Sequence, residues 1–265
     1  MPVVSIIMGV YNCKNKSLLK QSVESIILQS YKDWEFIICN DGSTDDTLIF
    51  LKKLEQLDSR IRIISYEKNQ GLNYSLNKCL EYARGKYIAR QDDDDYSYPN
   101  RLEEEVKILE NYNEFSIVGT MADIYDDTGI WGEYDVEEKP TKKSFLWNSP
   151  FIHPSVVMRK SALEKVGGYR IAKETRRCED YDLFMRMYVK GMKGYNIQKK
   201  LYKYRIVNGN KKYRPMEDRI NEARVRYKGF CKLGLMPLGF VYVLKPLIIG
   251  LIPQFIYKKI REKQY

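Results

Sequence analysis

Histidine is nearly missing from this chain: His153 is the one residue of its type in 265. No Ser/His/Asp or Cys/His nucleophile arrangement suggests itself, so covalent catalysis is not indicated. Cysteine is sparse too. Its five residues, Cys13, Cys39, Cys79, Cys178 and Cys231, are odd in number, scattered and without close-paired metal-ligand spacing, which fits a reduced, cytosolic compartment. There is no Gly-rich phosphate loop ending in Lys-Ser/Thr. Nor does a charged leader with an apolar core and small-residue cleavage site open the sequence, so secretion by that route is not expected.

What is present suits a folded α/β protein. An apolar content of 44% over 265 residues supports one large domain, or one with a small appendage. Tyrosine outnumbers phenylalanine 22 to 9, giving many rings with a polar tip, which suit wet clefts and membrane interfaces. The net charge of +10 is uneven: residues 199–265 hold 17 Lys/Arg against 4 Asp/Glu, leaving −3 on the preceding 198 residues. A basic tail of this kind is either a solvated face or a surface for anionic lipid or nucleic acid.

Periodicity organises the first 112 residues. The β-branched run Val3 to Ile7 precedes a helix with Leu19, Val23, Ile26 and Ile27 on one face; Trp34 to Cys39 precedes a helix lined by Leu48, Leu51 and Leu54. Ile61 to Ser65 and the helix of Leu72, Leu76, Leu80 and Ala83 repeat the unit, and Tyr87-Ile88-Ala89 forms a fourth strand. Such alternation predicts a doubly wound, mostly parallel sheet with ligands at the carboxyl ends of its strands. Past a helix at Leu102, Val106 and Leu109 the period is less regular. Asp127-Thr128-Gly129 suggests a hairpin turn, 155–158 a strand, 179–191 a helix, 215–232 a basic helix, and 233–257 is almost wholly apolar.

Unusual residues fall at the strand ends. Asp92 to Asp95 are four consecutive carboxylates whose mutual repulsion points to a bound divalent cation, with hard oxygen ligands selecting Mg2+ or Mn2+; a solvated acidic turn is the plainer alternative. Asp41, followed by Gly42-Ser43, ends a buried strand, where it could accept a hydrogen bond from an imide N–H, although a helix-capping turn would look the same. Glu179-Asp180 opens a helix whose positive end favours the ionised acid, and an ionised Asp180 facing a cleft could take a proton from an attacking hydroxyl. His153 lies between Pro150 and Pro154, where a structural hydrogen bond or an acceptor or metal contact is open to it.

In order along residues 2–206, the strings PVVSIIMGVYN, NDGSTDDT, NQGL, GKYIARQDDDD, YPNRLEEEV, NSPFIHPSVVMRKSALEKVGGY and EDYDLFMRM resemble the family 2 glycosyltransferases of GT-A fold. The nearest type is that of bacterial capsule, exopolysaccharide and O-antigen assembly, including amylovoran-type galactosyl- or glucosyltransferases. The resemblance implies that Val10, Tyr11 and Asn12 help hold the nucleotide and that Asp41 reads uracil. It makes Asp92 and Asp94 the two acids of the DxD element, one near the ribose and one on the metal. Asp93, at a position commonly small in relatives, stands between them, and Leu76 replaces an Arg that some relatives carry. Asp180 takes the position of the catalytic base, with Glu179 beside it as a possible acceptor or metal contact along with His153. No QxxRW string is present, which argues for one sugar per visit.

The expected organisation is a GT-A domain over 1–206, with a nucleotide-binding half (1–112) and an acceptor half (113–206), followed by a basic, membrane-associating segment at 207–265. The expected reaction is inverting transfer of one hexose, galactose or glucose, from a UDP-sugar to a polyprenyl-diphosphate-linked saccharide. Three prolines and Lys245 argue against a clean membrane span in 233–257, since each proline costs about 3 kcal/mol within a helix. An interfacial segment on the cytoplasmic leaflet is expected instead, or a segment folded back as core. Two rivals are weaker. A sugar nucleotidyltransferase would need a Gly-rich, basic N-terminal loop, for which GVYNCKNKS is poor, and a nucleic-acid-binding protein would need a recognition motif; no nucleic-acid partner is expected.

Overall fold

The computed structural model describes residues 2–207 and 214–252. Four parallel strands lead the chain in the expected sequence: β1 (Val4–Val10), β2 (Trp34–Asp41), β3 (Ile61–Tyr66) and β4 (Tyr87–Arg90). Between them run α1 (Lys16–Ile27), α2 (Thr47–Glu55) and α3 (Leu72–Tyr82). Asn15 starts α1, its Oδ1 accepting from the N–H groups of Ser17 at 3.1 Å and Leu18 at 3.2 Å. In β1, Val4, Ile6, Met8 and Val10 enter one core while Ile7 enters the other, and β2 divides Phe36 and Ile38 from Ile37 and Cys39 in the same way. A strand buried on both faces needs apolar side chains at nearly every position, each stabilising by roughly 1.5–3 kcal/mol on full burial.

After β4 the sheet becomes mixed. The elements β5 (Tyr96–Ser97), α4 (Arg101–Asn111), β6 (Phe115–Asp126), β7 (Gly129–Tyr134), β8 (Val157–Arg159), α5 (Lys160–Val166), α6 (Glu179–Val189) and β9 (Lys193–Arg205) complete it. Strand order is β3-β2-β1-β4-β8-β6-β9-β5, with β7 paired to β6 through the expected turn. Strand β8 is antiparallel to β4 and β6, whereas β9 is parallel to β6. The periodicity did not announce β9. Its register against β6 shifts around Thr120 to Ala122, and a bulged strand loses the simple alternation that pattern reading needs.

The basic helix is α7 (Met216–Leu233), and α8 (Phe240–Leu251) follows it. Ala223, Val225, Phe230 and Leu233 of α7 and Val243 of α8 join the core that contains Leu183, Phe184 and Met187 of α6. Contact is so close that a Cβ at Gly229 would run into the Met185 thioether. The core thus runs across residue 206, where the sequence suggested the main domain would end. No helix among the described residues is long and apolar enough to cross a membrane.

Candidate active site

Strands β2, β1 and β4 are neighbours, so the loops leaving their carboxyl ends lie side by side. The first two are latched together: the Asn12 N–H donates to Ser43 Oγ at 3.0 Å and Thr44 N–H donates to Asn12 Oδ1 at 2.9 Å. Asn12 holds this position with φ +44°. Tyr11 is exposed and lines a cavity of about 820 Å³. Val10 belongs to the core, which leaves its backbone as the part able to meet a ligand.

Asp41 is engaged inside the protein. Its oxygens accept from Tyr66 Oη at 2.6 Å, the Gln70 N–H at 2.7 Å, and Asn69 Nδ2 and the Gly71 N–H, both at 2.9 Å. A carboxylate offers about four lone-pair sites, so a base imide could bond Asp41 only by displacing one of these donors. What the carboxylate does here is shape residues 69–71, which wall the larger cavity. Gly42, at φ +62°, permits that closure, because a Cβ there would sit 2.5 Å from Asn69 N.

At the end of β4 the acids are built around an arginine that sequence reading overlooked. Arg90 is fully buried, and its guanidinium donates to Asp92 Oδ1 at 2.5 Å. Burial is the largest influence and opposes the Arg90 charge, but the Asp92 carboxylate together with Tyr169 and Tyr202 outweighs it and the net shift is upward. A second buried arginine, Arg101, donates to Arg90 O at 3.1 Å and to Pro154 O at 3.0 Å, pinning the strand end. Ser22 Oγ donates to Asp92 O at 2.7 Å from α1. Burial, then the charges of Asp94 and Asp92, push the Asp93 carboxyl up to about 7. Asp94 is exposed, and its carbonyl accepts from Tyr125 Oη at 2.6 Å. Asp95 points inward, where burial also raises it and Oδ1 accepts from the Arg205 N–H at 2.7 Å. The signal for Arg90 was available: a lone cation in the last position of a buried strand, immediately before four acids.

A divalent cation fits this donor set. The groups are hard carboxylate oxygens, one of them on an exposed side chain, and burial of Asp93 between two charged neighbours makes a nearby cation favourable. Among the described residues no three His, Cys, Asp or Glu side chains converge as a finished cage.

Across from these acids, the head of α6 presents Glu179 and Asp180. Asp180 lines a second cavity of about 210 Å³ together with Ser149, His153 and Tyr204, while Glu179 lines the larger one. Burial, followed by the Asp180 charge, pushes Glu179 up to about 7. Asp180 is raised as well. The helix terminus was expected to favour its ionised form, and the N–H groups of Tyr181 and Asp180 do act in that direction, but burial is the larger effect. The two acidic stretches converge: Tyr169 feels the charges of Glu179, Asp180 and Asp92, and Tyr204 those of Asp95, Asp92 and Asp180.

His153 is buried, with Nε2 2.9 Å from Tyr169 Oη. Burial and then the Arg90 charge hold it well below the usual imidazole range, so it stands neutral. Its hydrogen bond to Tyr169 holds the ring in the wall of the smaller cavity.

A parallel half-sheet with acids at the carboxyl end of its fourth strand, completed by a mixed half with a second acidic pair, is the architecture of the GT-A class. The chain belongs to glycosyl transferase family 2, whose model matches residues 5–167, and it is a glycosyltransferase. It is 40% identical over 264 residues to the putative glycosyltransferase EpsE of Bacillus subtilis, covering 99% of this chain and 94% of that one. It is 29% identical over 225 residues to the UDP-Glc:alpha-D-GlcNAc-diphosphoundecaprenol beta-1,3-glucosyltransferase WfaP of Escherichia coli, covering 85% and 86%. Among solved structures, S. aureus TarS 1–349 in complex with UDP-GlcNAc superposes with a TM-score of 0.71 at 16% identity, over 96% of this chain and 77% of that one.

Proposed function

We propose that this glycosyltransferase moves a single hexose, glucose or galactose, from a UDP-sugar to a polyprenyl-diphosphate-linked saccharide with inversion at the anomeric carbon. The observation that carries the reading is that Glu179 and Asp180 each line one of two cavities joined at Arg177, one about four times the volume of the other, with Asp92 near enough for its charge to act on Glu179. The larger receives the donor, between Tyr11, the 69–73 segment and Glu179, and the smaller receives the acceptor hydroxyl beside Asp180. Asp92 and Asp94 would hold Mn2+ or Mg2+, which offsets the charge developing on a departing diphosphate. Asp180 takes the proton of the attacking hydroxyl. Its upward shift makes it a stronger base than an ordinary carboxylate. Arg90 holds Asp92 in place, and neutral His153, hydrogen-bonded to Tyr169, lines the smaller cavity without adding charge.

The acceptor is placed at a lipid surface on the cytoplasmic side by α8. One face of that helix packs on α7, and the other leaves Val241 (70% exposed), Ile248 (55%) and Leu251 (76%) along a helical stripe, with Leu238 (85%) exposed in the turn just before it. Trp147, against which Lys245 stacks at 3.6 Å, links this helix to the segment that walls the smaller cavity. The rest of the apolar segment and Lys258, Lys259, Arg261 and Lys263 lie outside the described residues.

Labelled UDP-glucose and UDP-galactose, incubated with Mn2+ and a polyprenyl-diphosphate saccharide, should yield a β-linked product extended by one sugar. Formation of a nucleotide-sugar from NTP and sugar phosphate, with no transfer from either UDP-sugar, would sink the reading. For the lipid surface, Val241→Glu with Ile248→Glu should lower binding to anionic vesicles about tenfold or more, since each exposed aliphatic chain contributes roughly 1.5–3 kcal/mol when buried; unchanged binding would exclude the α8 face.

A further inference from the structure

Among the described residues, Arg177 is the one that lines both cavities. It lies in the segment between α5 and α6 that divides them, two residues before Glu179. Its backbone sits at φ +61°, a left-handed conformation that costs energy for any residue but glycine. That backbone is held from α7's side of the molecule: Arg214 donates to Arg177 O at 3.0 Å while its other guanidinium nitrogen binds Glu222 at 2.9 Å. The side chain is held far less firmly. Its one ion pair here, Nε to Asp218 Oδ2, spans 3.6 Å, longer than the 2.7–2.9 Å of a charge-assisted hydrogen bond, and the side chain is 46% exposed.

A fixed backbone with a loosely parked guanidinium is the arrangement of a side chain that can turn without moving its loop. Arg177 needs only to leave Asp218 and rotate to reach the wall it shares with Lys173, Arg176 and Glu179 in the larger cavity. With Lys173 paired to Glu217 at 2.6 Å, Arg176 and Arg177 are the cations that face Glu179 on that wall, an arrangement that suits an anionic group. The planar fork of an arginine matches two phosphate oxygens at once, which a lysine does not.

We propose that Arg177 is a donor-binding residue that swings from Asp218 onto the diphosphate of the nucleotide-sugar, standing between that leaving group and the acceptor cavity. This rests on the assignment of the larger cavity to a UDP-sugar. The position between the cavities places the guanidinium where charge grows as the sugar departs, so its contact strengthens during transfer as well as on binding.

The test is UDP binding in the presence of Mn2+, measured by titration calorimetry on the full chain and on Arg177→Gly, Arg177→Lys and Asp218→Asn. Glycine removes the guanidinium while relieving the left-handed strain, so its thermal midpoint should equal or exceed that of the wild type. UDP affinity in R177G should nevertheless fall about tenfold or more, R177K should recover part of it, and D218N, which frees the arginine, should bind UDP more tightly than wild type. The KM for the lipid-linked acceptor should stay within twofold or so in R177G. Wild-type-like UDP affinity in R177G overturns the proposal alone. So does a raised acceptor KM with unchanged UDP affinity, which would place the arginine on the acceptor. If R177G lowers both affinity and thermal midpoint, R177K decides: recovered affinity supports the contact and its absence removes it. Failure of the wild-type chain to bind UDP removes the donor reading and this inference together.

Discussion

The two acidic stretches of the site are built by opposite means. At the end of β4 a permanent cation, Arg90, is buried against the first carboxylate, and the third, Asp94, is left facing outward. At the head of α6 backbone N–H groups, the Ser149 hydroxyl and the more distant Arg214 charge oppose the burial of Asp180, and burial wins. The β4 acids are organised around that fixed charge, while burial and the neighbouring carboxylates still push Asp93 up to about 7. The α6 acid, opposed by backbone N–H groups, a hydroxyl and a more distant charge, keeps a raised affinity for protons, as the base role proposed for Asp180 requires. The same residue type thus suits the two proposed tasks because its surroundings differ.

Exchanging one oxygen at each stretch gives the sharpest break of that comparison. Asp180→Asn should lower kcat by roughly 10²–10⁴ while UDP affinity with Mn2+ changes little, as read by steady-state kinetics beside calorimetry. Near wild-type turnover would mean the α6 acids do not handle the proton. Asp94→Asn should act the other way, raising the Mn2+ concentration for half-maximal activity by about tenfold or more, and EDTA should silence the wild type until Mn2+ is restored. An unchanged metal response would show that the β4 acids are not organised for a cation.

Smaller effects sharpen the picture through stability. Arg90→Met leaves Asp92 without its buried partner and should destabilise the chain by on the order of 3 kcal/mol in urea unfolding. A loss near zero would mean the arginine is not the organising charge. For the α6 stretch, Glu179 is raised from the usual 4.5 to about 7, so the folded state binds its proton more tightly than the unfolded one. That contribution is complete below pH 4.5 and is lost as pH rises through 7. Glu179→Gln should therefore gain thermal stability over wild type at pH 8, by about 2–4 °C if 1 kcal/mol is recovered, and none at pH 5. A gain of equal size at both pH values would point to packing instead of charge.

Much of this was readable in advance. Strands β1 to β4 appear as apolar runs because both their faces are buried, and the acids stand out because they interrupt such runs. Strand β9 was hidden by its lysines at 193, 199, 200 and 203 and by its bulged register with β6. The role of α7 was hidden as well. Arg226 reads as one more basic residue on a solvated helix, yet it is buried and donates to the carbonyls of Leu146 at 3.1 Å and Trp147 at 3.2 Å, forming a wall of the smaller cavity. Asp41 reads as a base-recognition group, and the structure shows its oxygens already shaping residues 69–71.

The order of strands, the half-buried character of each helix and the positions of the acids follow from the amino-acid sequence, because period and burial are local consequences of residue type. Which acids meet, which arginine stands between two cavities and which carboxylate is already occupied were decided by long-range packing. Residues 92 and 180 are far apart along the chain, and only the crossing of β8 beside β4, with α6 behind it, brings their charges onto the same tyrosines.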